Sequence, residues 1–219
     1  MKHVVLVLFS VFFGLNLYYA NAKDNFSEIV PVDGKVQPRV ELDQGWSQEI
    51  RQLFWFTSQG SRIIPYNWFT WLEQADNNSL FRNVEHMEML RYLPMSSSKL
   101  NPAGLPIGFA LDTDQSTRKA WVGLTCAACH TNQIDYQGAR ILVEGAPTLA
   151  NFVKFFDELV NALSKTNDNP QKFTRFAKNV LGNQYSEATA NKLHQELDQI
   201  AAKLAQRRMV NQLPPDCPE

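Results

Sequence analysis

Cys126, Cys129 and His130 are the residues of this chain whose types and spacing belong together chemically. Two cysteines separated by two residues, with a histidine directly after the second, have the spacing that attaches a c-type haem. Thiols on one turn of backbone can each add to a vinyl group at the porphyrin edge. The adjacent imidazole then meets the iron as its proximal ligand. Three other chemistries use part of this pattern. A thioredoxin-like CxxC wants a βαβ surround, and none flanks this one. A structural zinc site needs four ligands, and only His86, His194 and Cys217 remain, scattered along the chain. A plain disulfide between Cys126 and Cys129 leaves the histidine without a role. The expectation is one covalent haem c, held by Cys126 and Cys129, with His130 as the metal ligand.

What such an iron does depends on its opposite face. A Met ligand closes the site and raises its potential, a His ligand closes it at lower potential, and an empty face admits peroxide or dioxygen. Met87, Met89, Met95 and Met209 are the thioether candidates, and His86 and His194 the imidazole candidates. Each has a plainer reading, Met as core filler and His as a solvated side chain. His130 should ligate through Nε2 while Nδ1–H donates to a backbone carbonyl, for which the Gly145-Ala146-Pro147 loop is the expected source. Two propionates at the edge of an apolar slot call for counter-charge. Arg118, Lys119 and Arg140 are near in sequence, and Arg140 is the preferred partner. Trp121 and Tyr136 could donate to a propionate, although core packing is the commoner role.

The elements that must position these residues read as mainly α, a cytochrome c-like haem domain with a small β-hairpin after the motif. A helix is expected from Ser47, with Ile50, Leu53, Phe54 and Thr57 on its inner face and Gly60 as its stop. A second starts at Asn67, and a third spans 83–93 before Pro94. Residues 94–120 read as a long loop with a short extended piece at 109–111. Ile134 and Tyr136 alternate, Gln137-Gly138 turns, and Ala139, Ile141 and Val143 alternate again, which is the hairpin. Leu149, Phe152, Val153, Phe156, Leu159, Val160 and Leu163 then form one helical stripe. Helices around Phe173–Val180 and from Ser186 complete the chain.

The N-terminus points to export on separate grounds. Met1-Lys2-His3 carries positive charge, Val4–Tyr19 is almost wholly apolar, and Ala20-Asn21-Ala22 has the small-x-small pattern of a signal peptidase site. The expected organisation is a signal peptide over 1–22, an extended lead-in over 23–44, one haem domain over 45–210 and a Pro-rich tail over 211–219. The destination is periplasmic or secreted. With 21 basic against 22 acidic residues the chain is close to neutral, which argues against nucleic acid as a partner. The expected partners are the haem-attachment machinery and a redox partner protein or small oxidant, peroxide or dioxygen. Cys217 is left as a thiol without an intrachain mate.

The stretches around the motif carry a resemblance. Gln59-Gly60-Ser61-Arg62-Ile63-Ile64-Pro65-Tyr66, Trp68-Phe69, Leu90-Arg91-Tyr92-Leu93-Pro94, residues 101–109 with Asn101-Pro102 and Gly104-Leu105-Pro106, and Trp121 through Thr131 resemble the first haem region of the rubber oxygenase-like di-haem c-type cytochromes. These are relatives of the bacterial cytochrome c peroxidases. The similarity covers roughly residues 45 to 165. It implies a periplasmic or secreted haem oxidoreductase in which one haem has an open face and the other passes or stores electrons. Cys126, Cys129 and His130 would hold the first haem, and the resemblance supplies no side-chain ligand for its opposite face. The family's second CxxCH is absent from these residues, so two-haem chemistry is not assigned to them.

Overall fold

In the computed structural model, residues 39–210 and the short stretches 26–27, 31–32 and 35–36 are described. The expected signal peptide, the tail and Cys217 lie outside the described residues. The chain order is β1 (Phe26–Ser27), β2 (Pro31–Val32), β3 (Lys35–Val36), β4 (Arg39–Glu41), α1 (Gln48–Phe56), β5 (Ile64–Pro65), α2 (Tyr66–Trp71) and α3 (Val84–Met89). Then come β6 (Phe109–Thr113), β7 (Ala120–Leu124), a 3-10 turn (Cys126–Ala128), β8 (Thr131–Tyr136), β9 (Ala139–Glu144), α4 (Phe152–Asp168), α5 (Pro170–Leu181) and α6 (Glu187–Val210).

The expected mainly α, cytochrome c-like domain is not what these residues build. The fold is mixed α/β, with one sheet in the order β1-β4-β9-β8, a second in the order β5-β7-β6, and a two-stranded ribbon β2-β3. Two local causes explain the difference. The expected loop over 94–120 contains β6, which pairs antiparallel with β7 across a turn. In that turn Asp114 Oδ1 accepts from the backbone N–H groups of Ser116 and Thr117, and Arg118 takes a φ of 58°. The second cause lies in the lead-in, whose β4 runs parallel to β9, pairing Arg39 with Arg140 and Glu41 with Leu142.

The expected hairpin forms, with Ile134 opposite Ile141 and Tyr136 opposite Ala139, and Gln137 and Gly138 both take positive φ in the turn. Its buried face is the charged one. Ile134 and Tyr136 are exposed, while Arg140, Leu142 and Glu144 point inward with Arg39 and Glu41 of β4. Those charges tolerate burial because α1 lays Arg51 across them. Arg51 pairs with Glu144 and reaches Glu41 at 3.4 Å. Ser47 caps α1 by accepting from Ile50 N–H, but Ile50 and Leu53 are exposed and the buried face is Arg51, Trp55 and Phe56. The helix was oriented by its ion pair, not by its aliphatic residues.

The main core lies where α2 and the β6–β7 sheet meet α4, α5 and α6. Phe109 and Phe155 stand at its centre, with Tyr92 edge-on to both at 4.9 and 5.3 Å between ring centroids. The stripe expected on α4 is only half inside. Leu159, Val160 and Leu163 are buried, whereas Leu149, Phe152 and Val153 are exposed. Asn169 joins α4 to α5, its own N–H donating to Lys165 O while its side chain accepts from Gln171 and Lys172 N–H at 3.0 and 2.9 Å. Asn169→Ala should therefore lower unfolding stability by about 1 kcal/mol, with Asn169→Asp close to the parent, as read from urea midpoints.

Candidate haem-attachment site

The motif forms a single turn with two different sides. Thr125 Oγ1 accepts from Ala127 N–H at 3.2 Å and donates to the Trp55 carbonyl at 3.1 Å, tying the turn's start to α1. Cys129 and His130 N–H both close onto the Cys126 carbonyl, at 3.1 and 2.9 Å. Ala127 and Ala128 face inward, Ala127 joining a small cluster with Trp55, Phe56, Ile107 and Leu142. Gly108, at φ +85°, passes so close beneath that a Cβ there would stand 2.3 Å from Ala128 N. Ala128 thus packs on the Gly108 backbone and Ala127 among the side chains of that cluster. Cys126, Cys129 and His130 are consequently displayed outward, and both cysteines are free thiols.

The Gly145-Ala146-Pro147 loop lies against the motif but its contacts are to the motif's backbone and not to the His130 ring. Gly145 N–H donates to the His130 carbonyl at 2.8 Å and Thr148 N–H to the Cys129 carbonyl at 3.0 Å. The loop thus holds the motif's backbone. Among the described residues the His130 ring has no hydrogen-bond partner. Directly after Thr148 come the exposed apolar side chains Leu149, Phe152 and Val153.

Beside the turn, between the inner face of the hairpin and the segment after α3, lies an open cleft of about 280 Å³. Tyr92, Arg140, Gln133 and Leu149 are among its walls. Tyr92 was not singled out in the sequence, and its only signal was its place in the Leu90–Pro94 stretch of the resemblance. Burial first, and then the Cys129 sulfur, push the Tyr92 phenol above its ordinary range, so at neutral pH it remains a donor. Arg140 is buried and pairs with Glu88 at 3.2 Å. Of the other propionate candidates, Arg118 is exposed on the β6–β7 turn. Lys119 is drawn away by Glu196 at 3.0 Å and by the faces of Trp68 and Trp121. Tyr136 is exposed on the far face of the hairpin.

None of the six sixth-ligand candidates faces the motif with a free donor. His86 is held at both nitrogens, by the Phe81 carbonyl and by Glu158 Oε2, each at 2.5 Å. His194 Nε2 contacts the Asn167 carbonyl at 3.0 Å, and its ring packs on Phe173. Met87 is fully buried in the main core. Met95 Sδ takes a contact from Arg39 at 2.6 Å, Met89 Sδ one from Lys154 at 3.0 Å, and Met209 lies exposed in the last turn of α6.

The residues present fit a covalently held haem at its attachment edge. Two free sulfurs and an imidazole lie on the outward side of one braced turn, with exposed apolar side chains following. Cys126, Cys129 and His130 are the residues that would hold it. The zinc reading finds no support, because among the described residues no three His, Cys, Asp or Glu side chains gather to hold an ion.

Comparison with known proteins gives one relationship to report. The chain is 33% identical over 218 residues to the uncharacterized protein y4iJ of Sinorhizobium fredii (strain NBRC 101917 / NGR234), across 90% of this chain and 35% of that protein. The chain therefore spans about a third of the length of that relative. No family model and no solved structure matches the chain.

Proposed function

We propose that this chain is an exported redox protein carrying one covalent haem c, bound by Cys126 and Cys129 through thioethers and by His130 at the iron, with one-electron transfer as its minimum activity. The observation that carries this reading is the two-sided turn, alanines locked beneath and two thiols and an imidazole displayed above. When bound, the haem supplies an iron centre that cycles between two oxidation states. The protein's part is to hold that centre still. Thr125, Gly108 and the 145–148 loop fix the backbone on which both sulfurs and the ring are mounted. The signal-like N-terminus and the resemblance to the first haem region of di-haem c-type cytochromes support the same reading, with attachment taking place outside the cytoplasm. Among the described residues no helix is long and apolar enough to cross a membrane.

A second reading, peroxide or dioxygen chemistry at an open iron face, is favoured by the engagement of His86, His194 and Met87 elsewhere. The two are separated by adding carbon monoxide to the reduced protein. A spectral shift means an open face, and an unchanged spectrum means a six-coordinate electron-transfer haem. The covalent haem itself is tested by a pyridine haemochrome spectrum after acid-acetone extraction, together with the intact mass of exported protein. Pigment that extracts, or a mass equal to the bare chain, rejects the reading in favour of a haem-free thiol module.

A further inference from the structure

The arginines behind the cleft are arranged for an anion. Arg39 and Arg140 are ladder partners on adjacent parallel strands, so both side chains leave the sheet on the same inward face. Arg39 is 2% exposed. Its guanidinium donates to the Pro94 carbonyl at 3.1 Å and meets Met95 Sδ, a weak acceptor, while its Nε has no hydrogen-bond partner. A buried donor left in that state is costly and needs a reason. Glu41 and Glu88 attract it, and each is also engaged by another guanidinium. Arg51 takes Glu41 and Glu144, and Glu88 lies on Arg140. Burial, and then the Arg140 charge, pull the Arg39 guanidinium down to about 10 against a smaller upward pull from Glu41 and Glu88, and it stays charged at neutral pH.

The opening above this pair is the cleft already described. Pro94, whose carbonyl Arg39 holds, and Arg140 both line it, as do Tyr92 with its protonated phenol and Arg91. The charges that line it balance, Arg91 and Arg140 against Glu88 and Asp135, and Arg39 adds a buried positive charge from the neighbouring strand. Planar guanidiniums with a phenolic donor are the set that receives a carboxylate. The cleft also adjoins the motif, since Asn132 and Gln133, two and three residues past His130, are among its walls.

We propose that this cleft is a carboxylate site, in which Arg140 and Tyr92 contact the carboxylate and Arg39 supplies charge from behind, and that the carboxylate is a propionate of the haem held at Cys126 and Cys129. This rests on the proposed haem attachment, and the same carboxylate chemistry could serve a free organic acid, so the test separates the three.

The haemochrome spectrum of the full chain comes first, and a negative result removes the haem reading without touching the cleft. With haem present, Arg140→Gln should lower the midpoint potential, because the uncompensated propionate then stabilises the ferric state. The expected shift is about 59 mV, a tenfold change in a one-electron equilibrium. Tyr92→Phe, which keeps the ring packing, should shift it the same way by less. Arg62→Gln, on the surface pair with Asp112 and Asp114, should leave it unmoved. In parallel, sodium propionate is titrated into the parent and into the colourless Cys126→Ser/Cys129→Ser chain, following Tyr92 by NMR. Saturable binding to the colourless chain only supports occupancy by the haem's own carboxylate. Equal binding to both assigns the cleft to a free acid and overturns the propionate part. An unmoved potential in both variants, with no binding to the colourless chain, overturns the site altogether.

Discussion

Cys126→Ser/Cys129→Ser should be colourless after export, lighter by one haem than the parent, and folded. The three outcomes come from separate features of the turn. Loss of colour follows from removing both nucleophiles, since the imidazole of an exposed His130 alone holds a porphyrin only reversibly. Retention of the fold follows from where the sulfurs are. Both cysteines are exposed, and what braces the turn is backbone and Thr125. A Cys-to-Ser change at such a position is expected to alter unfolding stability by no more than about 0.5 kcal/mol against the parent chain prepared without haem. Intact mass, visible absorbance and a urea melt read the three together. Protein that stays red through acid-acetone extraction would mean that the pigment is attached elsewhere and would remove the proposed function.

The candidate site was more legible in this sequence than the architecture, for a physical reason. The motif is local: two sulfurs and an imidazole within five residues need no distant partner to be recognised. The hairpin was legible too, because alternation and a Gln137-Gly138 turn are also local, yet its buried face was not. Alternation of Ile134 and Tyr136 with polar residues says only that two faces differ. Which face is buried was decided by β4, contributed from about a hundred residues earlier, and by Arg51 reaching across from α1. The same applies to the half-exposed stripe on α4 and to Ile50 and Leu53 on α1. A strand such as Ala120–Leu124, with Gly123 as its fourth residue, has weak strand character of its own. It exists because Gly123 lets the Ser61 carbonyl pass where a Cβ would stand at 1.8 Å, so that β5 and β6 can flank it. Tyr92 and Arg39 were invisible as site residues because their significance is spatial, one lining the cleft with Asn132 and the other paired with Arg140 across two strands.

Gly108→Ala should damage the site while leaving every residue of the motif in place. Two costs add at this position. At φ +85° a Cβ is strained, for roughly 1 kcal/mol. The added carbon would also meet Ala128 N, Cα and Cβ at 2.3, 2.4 and 2.6 Å, atoms of a braced turn with no flexible side chain to swing aside. Overpacking of that kind costs about 1–3 kcal/mol, so the total expected loss is about 3 kcal/mol. Relief requires the turn to lift away from Gly108, which breaks the Thr125 N–H bond to the Gly108 carbonyl and withdraws Ala127 from the Trp55 cluster. The thiols then lose their fixed separation, and covalent haem per chain should fall together with the urea midpoint. Gly138→Ala, in the hairpin turn at φ +78° with open space around the added carbon, carries the strain without the collision. It should lose about 1 kcal/mol and keep its full complement of haem. Equal haem content in the two variants would show that the backbone beneath the alanines is not what presents the sulfurs.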